Sequence, residues 1–348
     1  MKTRRSIRVL YIVVGLFIVQ AAQAYGQAIP AGDQAEDFLV HFNIGWENSW
    51  RGELTAPDGE KTSDVFEGWD AAWLFVKYRV GGQAWQHATI NTAGHLVPEG
   101  STLIPGLSDA EAAYDPADNP IVGYFILRDG SGHGEFSAEG VRLSLNYSDN
   151  GLSPDSPLEI RLFAIEMEYI PEMSASGYVA PFYMMKNQIS QQQYVDFLNT
   201  LSPDEQSLHT TTSPFEAEGT HAMNQGDANC NDIRILFSAY EMDGRNFSAE
   251  YITDEPGEPC RLIDQEAAEA FLSWSGQRTL SQQELESASN WMQFRNEKYL
   301  RLTDKNLLSG SNFDNGQAAG FRGARSDARF QIGHVNPTTR AQLNPPKR

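Results

Sequence analysis

Through the first half of the chain, apolar and polar positions alternate in short runs. Phe38–Trp46 mixes alternating apolar and polar positions, Ala72–Val80 reads AWLFVKYRV, Ile121–Leu127 reads IVGYFIL and Val141–Tyr147 reads VRLSLNY. Turn-forming clusters separate them: Pro57-Asp58-Gly59, Gly81-Gly82, Asp129-Gly130-Ser131-Gly132 and Asp149-Asn150-Gly151. Short runs of period two, punctuated by Gly, Pro and Asp and without a helical stripe, predict an antiparallel β-sandwich-like domain over residues 36–150. Residues 148–158 (SDNGLSPDSPL) read as a linker.

The period then changes. An apolar run, Ile165–Ile170, ends at Pro171, and a second, Phe182–Met185, leads to Ser190 and Gln193 at capping-box spacing. Tyr194, Phe197, Leu198 and Leu201 follow on one helical face, and Pro203 stands where that helix should stop. A second helix is predicted from an Asp264 N-cap through Ala267, Ala268, Phe271 and Trp274, closed by Gly276. A third opens on Ser281 with Glu284 and turns Leu285 and Ala288 inward. Between the first two helices lies a polar stretch, 202–231, followed by apolar spots at Ile233–Phe237 and Tyr251–Ile252. The whole is α+β: a β-sandwich-like domain, then a mixed domain over 158–325, then an extended tail, 326–348.

The wording of the second half carries more than its periodicity. MEYIPE…FYMMKNQISQQQYVDFLN, AAEAFLSWSGQRTLSQQELESA (Ala267–Ala288) and YLRLTDKN…GFRGAR (Tyr299–Arg325) occur in this order. They resemble three blocks of the formylglycine-generating enzyme (sulfatase-modifying factor) family. The resemblance covers roughly residues 164–325 and implies a C-type-lectin-like core. It also implies an oxidase that holds copper with a cysteine pair near the closing strands, because soft thiolates select Cu(I). Here no Cys follows Cys260, and only Ser289–Lys298 separates Ala288 from Tyr299, where the family inserts a long irregular stretch with calcium sites and half the substrate groove. The expectation is therefore a shortened member without the catalytic pair. The family includes such members in bacterial gliding and secretion machinery.

The chain opens like an export signal, residues 1–24: Lys2, Arg4, Arg5 and Arg8, an apolar centre Val9–Val19, then Ala22-Gln23-Ala24 for cleavage. That centre is short for a membrane span and no later segment is more apolar, so the mature protein is expected to be exported and not membrane-spanning. The formal charge is −20, and removal of the four basic leader residues takes it to −24. Such a field repels nucleic acid and anionic membranes. A hydrophobic content of 41% leaves ample material for packed cores despite this charge.

Candidate chemistry is sparse. Cys230 and Cys260, in an oxidising compartment, read as one disulfide or as two buried free thiols. Asp227, Asn229 and Asn231 place alternate side-chain oxygens as a calcium loop begins, but the sixth place lacks Gly and the twelfth is Ser238. The plain alternative is a polar loop with Asx turns. Five of the seven Trp lie in the first half, and Trp46, Trp50 and Trp69 read either as core or as an aromatic carbohydrate platform. Arg322 and Arg325 are expected to pin the closing strands. The His spacings exclude a zinc hydrolase motif, and no nucleophile elbow, phosphate loop or dinucleotide fingerprint is present. The expected function is an exported non-catalytic binding or structural module in a cell-envelope assembly, with a protein or glycan partner and no cofactor other than calcium. The alternatives are a formylglycine-generating oxidase on Cys230 and Cys260, and a carbohydrate-binding protein.

Overall fold

The computed structural model describes residues 12–14, 17–20, 38–55, 65–107, 120–146, 148–152, 157–172, 179–223, 231–299, 313–314, 317–318 and 324–326. Most of the leader and the tail from 327 onward thus lie outside the described residues. Within the leader, β1 (Ile12–Val14) and β2 (Phe17–Gln20) pair with each other, and β2 pairs with Asn43–Trp46.

The large sheet is antiparallel and is built on β3 (Phe38–Thr55) and β4 (Val65–Val80). Both are longer than the alternating runs predicted them. The two-residue β5 (Gln86–His87) and the hairpin of β6 (Ser101–Leu107) and β7 (Ile121–Arg128) continue along β4 past its pairing with β3, and β8 (Gly132–Leu145) pairs along β3. Ile90 then bridges both Ile121 and Leu145, bringing the β7 and β8 sides together. The sheet curls around one core that includes Phe42, Trp46, Leu74, Ile126, Phe136 and Leu143. One curled sheet therefore stands where two stacked sheets were expected.

The turn at 148–151 sends the chain back into this same sheet. β9 (Leu158–Ile170) pairs with β4 along Asp70–Val80, and β10 (Phe182–Met185) pairs with the far end of β9. β4 is consequently covered on both faces. Leu74, Val76 and Tyr78 point into the curl, while Trp69, Trp73 and Phe75 point to the helices. That explains why AWLFVKYRV reads as almost continuously apolar rather than strictly alternating. Gly123 makes the tight fit possible: a Cβ there would lie 2.4 Å from the Leu74 carbonyl oxygen and 2.4 Å from the Trp73 ring.

The helices form as their signals predict, with one addition. α1 (Gln191–Leu198) carries the Ser190–Gln193 capping box and buries Tyr194, Val195, Phe197 and Leu198. Pro203, expected to follow a helix end, also begins α2 (Pro203–Leu208), with Ser202 and Glu205 forming a second capping box. β11 (Arg234–Phe237), β12 (Tyr240–Met242), β13 (Arg245–Phe247) and β14 (Glu250–Ile252) make two small sheets, β11 with β14 and β12 with β13. After β15 (Ile263–Asp264), α3 (Gln265–Trp274) starts at an Asp264 cap. α4 (Gln282–Tyr299) runs without interruption through the stretch where the resembled family inserts its loop. β16 (Phe313–Asp314) and β17 (Gln317–Ala318) pair with each other, β17 also pairs with β15, and β18 (Ala324–Ser326) closes on β10. The core beneath α1 and α3 joins Trp73 and Phe125 from the first half to Tyr183, Phe197 and Phe271 from the second. Among the described residues, no helix is long and apolar enough to cross a membrane.

Candidate functional site

The three tryptophans of the proposed aromatic platform face inward. Trp46 and Trp69 are each 3% exposed. Trp46 donates from Nε1 to Asp70 Oδ2 at 3.0 Å. Trp69 lies flat on Tyr169, centroids 3.9 Å apart, and donates to the Tyr183 hydroxyl at 3.2 Å. Trp50 is half-buried, stacks on Trp291 and donates to Glu168 Oε2 at 3.3 Å. A sugar platform needs open ring faces; protein neighbours occupy these faces instead.

Of the calcium candidates, Asp227 and Asn229 lie outside the described residues, as does Cys230. Asn231 is buried and clamps the backbone of Arg261, accepting from its N–H at 2.8 Å and donating to its carbonyl at 2.5 Å. Both ends of the amide are thus engaged in holding two loops together. Cys260 is a buried free thiol. Burial pushes its pKa well above the ordinary value, which keeps it protonated and unreactive. Alkylation with iodoacetamide at neutral pH is expected to leave Cys260 untouched in the folded protein and to label it fully in denaturant. Peptide mass spectrometry reads this directly, and labelling of the native chain would contradict the burial.

The charged groups that organise the interior were not singled out in the sequence. Asp70, Glu166 and Glu168 share one face of the β4–β9 pair, Asp70 directly opposite Glu168. Lys186, just past β10, reaches Glu166 Oε1 at 2.5 Å and Asp70 Oδ2 at 3.1 Å. Asp70 Oδ1 also accepts from the Ser49 hydroxyl and the Trp50 N–H, each at 3.0 Å. Glu168 is held between the Nε1 groups of Trp50 and Trp291, so its carboxylate docks α4 on the sheet. The cation among these carboxylates is Lys186. Burial pushes Glu166 up to about 7 despite Lys186, with Asp70 and Glu168 adding to the rise. Burial opposes charge on Lys186, but Glu166, Asp70 and Glu168 outweigh it and hold its pKa above the ordinary value. Asn187, at the exposed rim, donates to Glu166 Oε2 at 3.2 Å.

Farther along β4 the interior is cationic. Lys77 Nζ lies 3.2 Å from His87 Nδ1 and 5.4 Å from the centre of the Trp274 ring. His87 Nε2 lies 2.7 Å from the Val122 carbonyl, which assigns the proton to Nε2 and leaves Nδ1 to accept from lysine. Burial lowers Lys77 to about 7; burial and then the Lys77 charge lower His87 to about 3. Arg325 does pin the closing strand, as expected. Its guanidinium donates to the Gly276 and Leu107 carbonyls and sits 4.0 Å from the centre of the Trp73 ring. Arg322 lies outside the described residues.

Lys77 has a measurable consequence. Its native pKa lies below the unfolded value, so between about pH 7 and pH 10.5 the unfolded chain binds the extra proton. Stability from this group therefore rises with pH across that window, and Lys77→Met should flatten that part of the curve. Urea midpoints at pH 7 and 9.5 test this; identical slopes in the two proteins would remove lysine as the cause.

The outer surface of the stretch after α2 is different. Phe237 is 55% exposed and Met242 54%, and Phe215 and Tyr240 are also open. Backbone contacts gather them: the Ala239 N–H donates to the Pro214 carbonyl at 2.8 Å, and the Ser238 hydroxyl donates to the Glu216 carbonyl at 2.6 Å. Tyr240 stacks on Phe247 across β12 and β13, centroids 4.7 Å apart. Beneath this face, Ile235, Ala239, Ala249 and Tyr251 are buried in the core with α1, so the open side chains sit on a fixed base. Single exposed apolar residues are ordinary on proteins; here four fall on two hydrogen-bonded neighbouring segments.

Sequence signals for these features exist. Glu166 and Glu168 interrupt an apolar run at a spacing of two, which places both on one strand face. Tyr-Glu-Met-Asp-Gly-Arg-Asn-Phe, residues 240–247, sets Asp-Gly between two short alternating runs, a hairpin signal, and Asp243 and Gly244 both take positive φ. No protein-family model, curated protein or solved structure matches the chain.

Proposed function

We propose that this chain is an exported, non-catalytic binding or structural module, built on a shortened, C-type-lectin-like core of the formylglycine-generating-enzyme kind and serving in a cell-envelope assembly. The observation that carries the binding role is the gathered apolar face at Phe215, Phe237, Tyr240 and Met242, presented on a packed base. A loop surface fixed on a rigid frame is suited to recognition. The non-catalytic part of the reading rests on Cys260, whose buried protonated thiol is the opposite of the accessible thiolate that copper chemistry requires.

The test is copper-dependent oxygen uptake by the full chain with a cysteine peptide, alongside Cu(I) titration. No uptake and no tight copper binding are expected. Uptake that disappears in Cys260→Ser would replace this reading with an oxidase.

A further inference from the structure

We infer that the apolar face at β11–β13 receives a basic, apolar, extended segment of a partner protein. This rests on the binding-module reading and names the partner's chemistry. Three properties of the face specify it. The centre is aromatic and aliphatic, with Phe215, Phe237, Tyr240 and Met242 open to solvent. The segments that carry it are acidic: Glu216, Glu218, Glu241, Asp243 and Glu250 are all exposed. Of the nearby cations, Arg234 is already engaged by Asp232 and Asp254, and Arg161 faces Glu250, which leaves Arg245 against Glu216, Glu218, Glu241 and Asp243. A partner must therefore bring apolar side chains to the centre and positive charge to the edge.

The third property is backbone. β12 and β13 form a two-stranded sheet of their own, so their outer edges keep main-chain donors and acceptors available in the described structure. An extended segment can add to such an edge, with main-chain hydrogen bonds supplying affinity and alternate side chains supplying selectivity. An alternating Lys/apolar strand would place one set of side chains on Phe237 and Met242 and direct its charges toward the acids.

The experiment is fluorescence anisotropy of the full chain with a labelled peptide alternating Lys with Val and Phe, beside a twin with Glu for Lys. The Lys peptide is expected to bind and to weaken with added salt; the Glu twin is not. Phe237→Ser with Met242→Ser is expected to weaken binding by about tenfold or more. Glu241→Lys with Glu250→Lys should do the same, whereas Glu99→Lys with Glu139→Lys, which changes the net charge equally at other exposed positions, should not. Circular dichroism confirms that each variant is folded.

Equal loss in the Glu99/Glu139 variant would reduce the effect to general charge attraction and overturn the proposal. So would unchanged binding by the Phe237/Met242 variant. Sedimentation in which that variant abolishes a wild-type dimer would assign the face to a second copy. Residues 328–348 hold four basic residues and no acid. A synthetic peptide of that stretch binding the face more tightly than the Lys peptide would make the chain itself the occupant. Failure of peptide binding without oxygen uptake defeats this inference alone; oxygen uptake defeats the module reading beneath it.

Discussion

Lys186→Met is expected to destabilise the protein by about 3–5 kcal/mol at pH 8, the scale for removing one partner from a buried ionic group. Lys186 is the ammonium between Asp70 and Glu166, and both carboxylates are almost wholly shielded from water. Without it, three neighbouring acids on the β4–β9 face must either repel one another or take up protons. The pH dependence separates this from lost packing. Burial already raises Glu166 to about 7, so the native state binds a proton that the unfolded chain has released between its ordinary carboxylate pKa and 7. Stability from Glu166 is therefore greatest below that window and declines as pH rises through it. In Lys186→Met the carboxylates lose their counter-charge and the decline should be larger, so the deficit relative to wild type should shrink at pH 5. Urea unfolding at pH 5 and 8 measures both quantities. A deficit of equal size at the two values would remove the pairing of the ammonium with titrating carboxylates as its cause.

Trp69→Ala should cost a similar amount, about 3–5 kcal/mol, as large aromatic truncations in cores do. Its ring is stacked on Tyr169, its Nε1 donates to Tyr183, and the Arg51 guanidinium lies 5.5 Å from its centre. This experiment also decides the carbohydrate alternative. A tryptophan displayed for sugar could be removed with a change within about 0.5 kcal/mol, as at ordinary surface positions. A glycan-binding loss with an unchanged melting temperature would restore the platform; a collapse of stability places Trp69 in the scaffold.

The positions of the strands and helices were legible to differing depths. The two capping boxes at Ser190 and Ser281 and the Asp264 cap are local devices, each closed within three residues, and all three recur in the structure. The strand runs at Ala72–Val80 and Ile121–Leu127 were readable for the same reason: each is a short apolar run bounded by turn residues close by in the chain. Strand lengths were less so, because β3 continues to Thr55 through polar residues that only its pairing with β8 and β4 keeps extended. The hairpin at 240–247 had a readable turn, but its exposure did not follow from its composition. Asn231 read in sequence as either a calcium ligand or a polar loop residue, and it is a backbone clamp because Arg261, thirty residues away, folds against it.

By itself, then, the sequence determined the α+β class, the capped helices, the acidic charge and the positions of the apolar runs. These depend on interactions within a few residues or on composition alone. Tertiary structure decided that β9 returns to β4, so that the two halves of the chain share one sheet and one core. It also decided that Asp70, Glu166, Glu168 and Lys186 meet, and that the tryptophans turn inward while Phe237 and Met242 turn out. Burial and charge pairing are sums over residues distant in the chain, and no local pattern carries that sum.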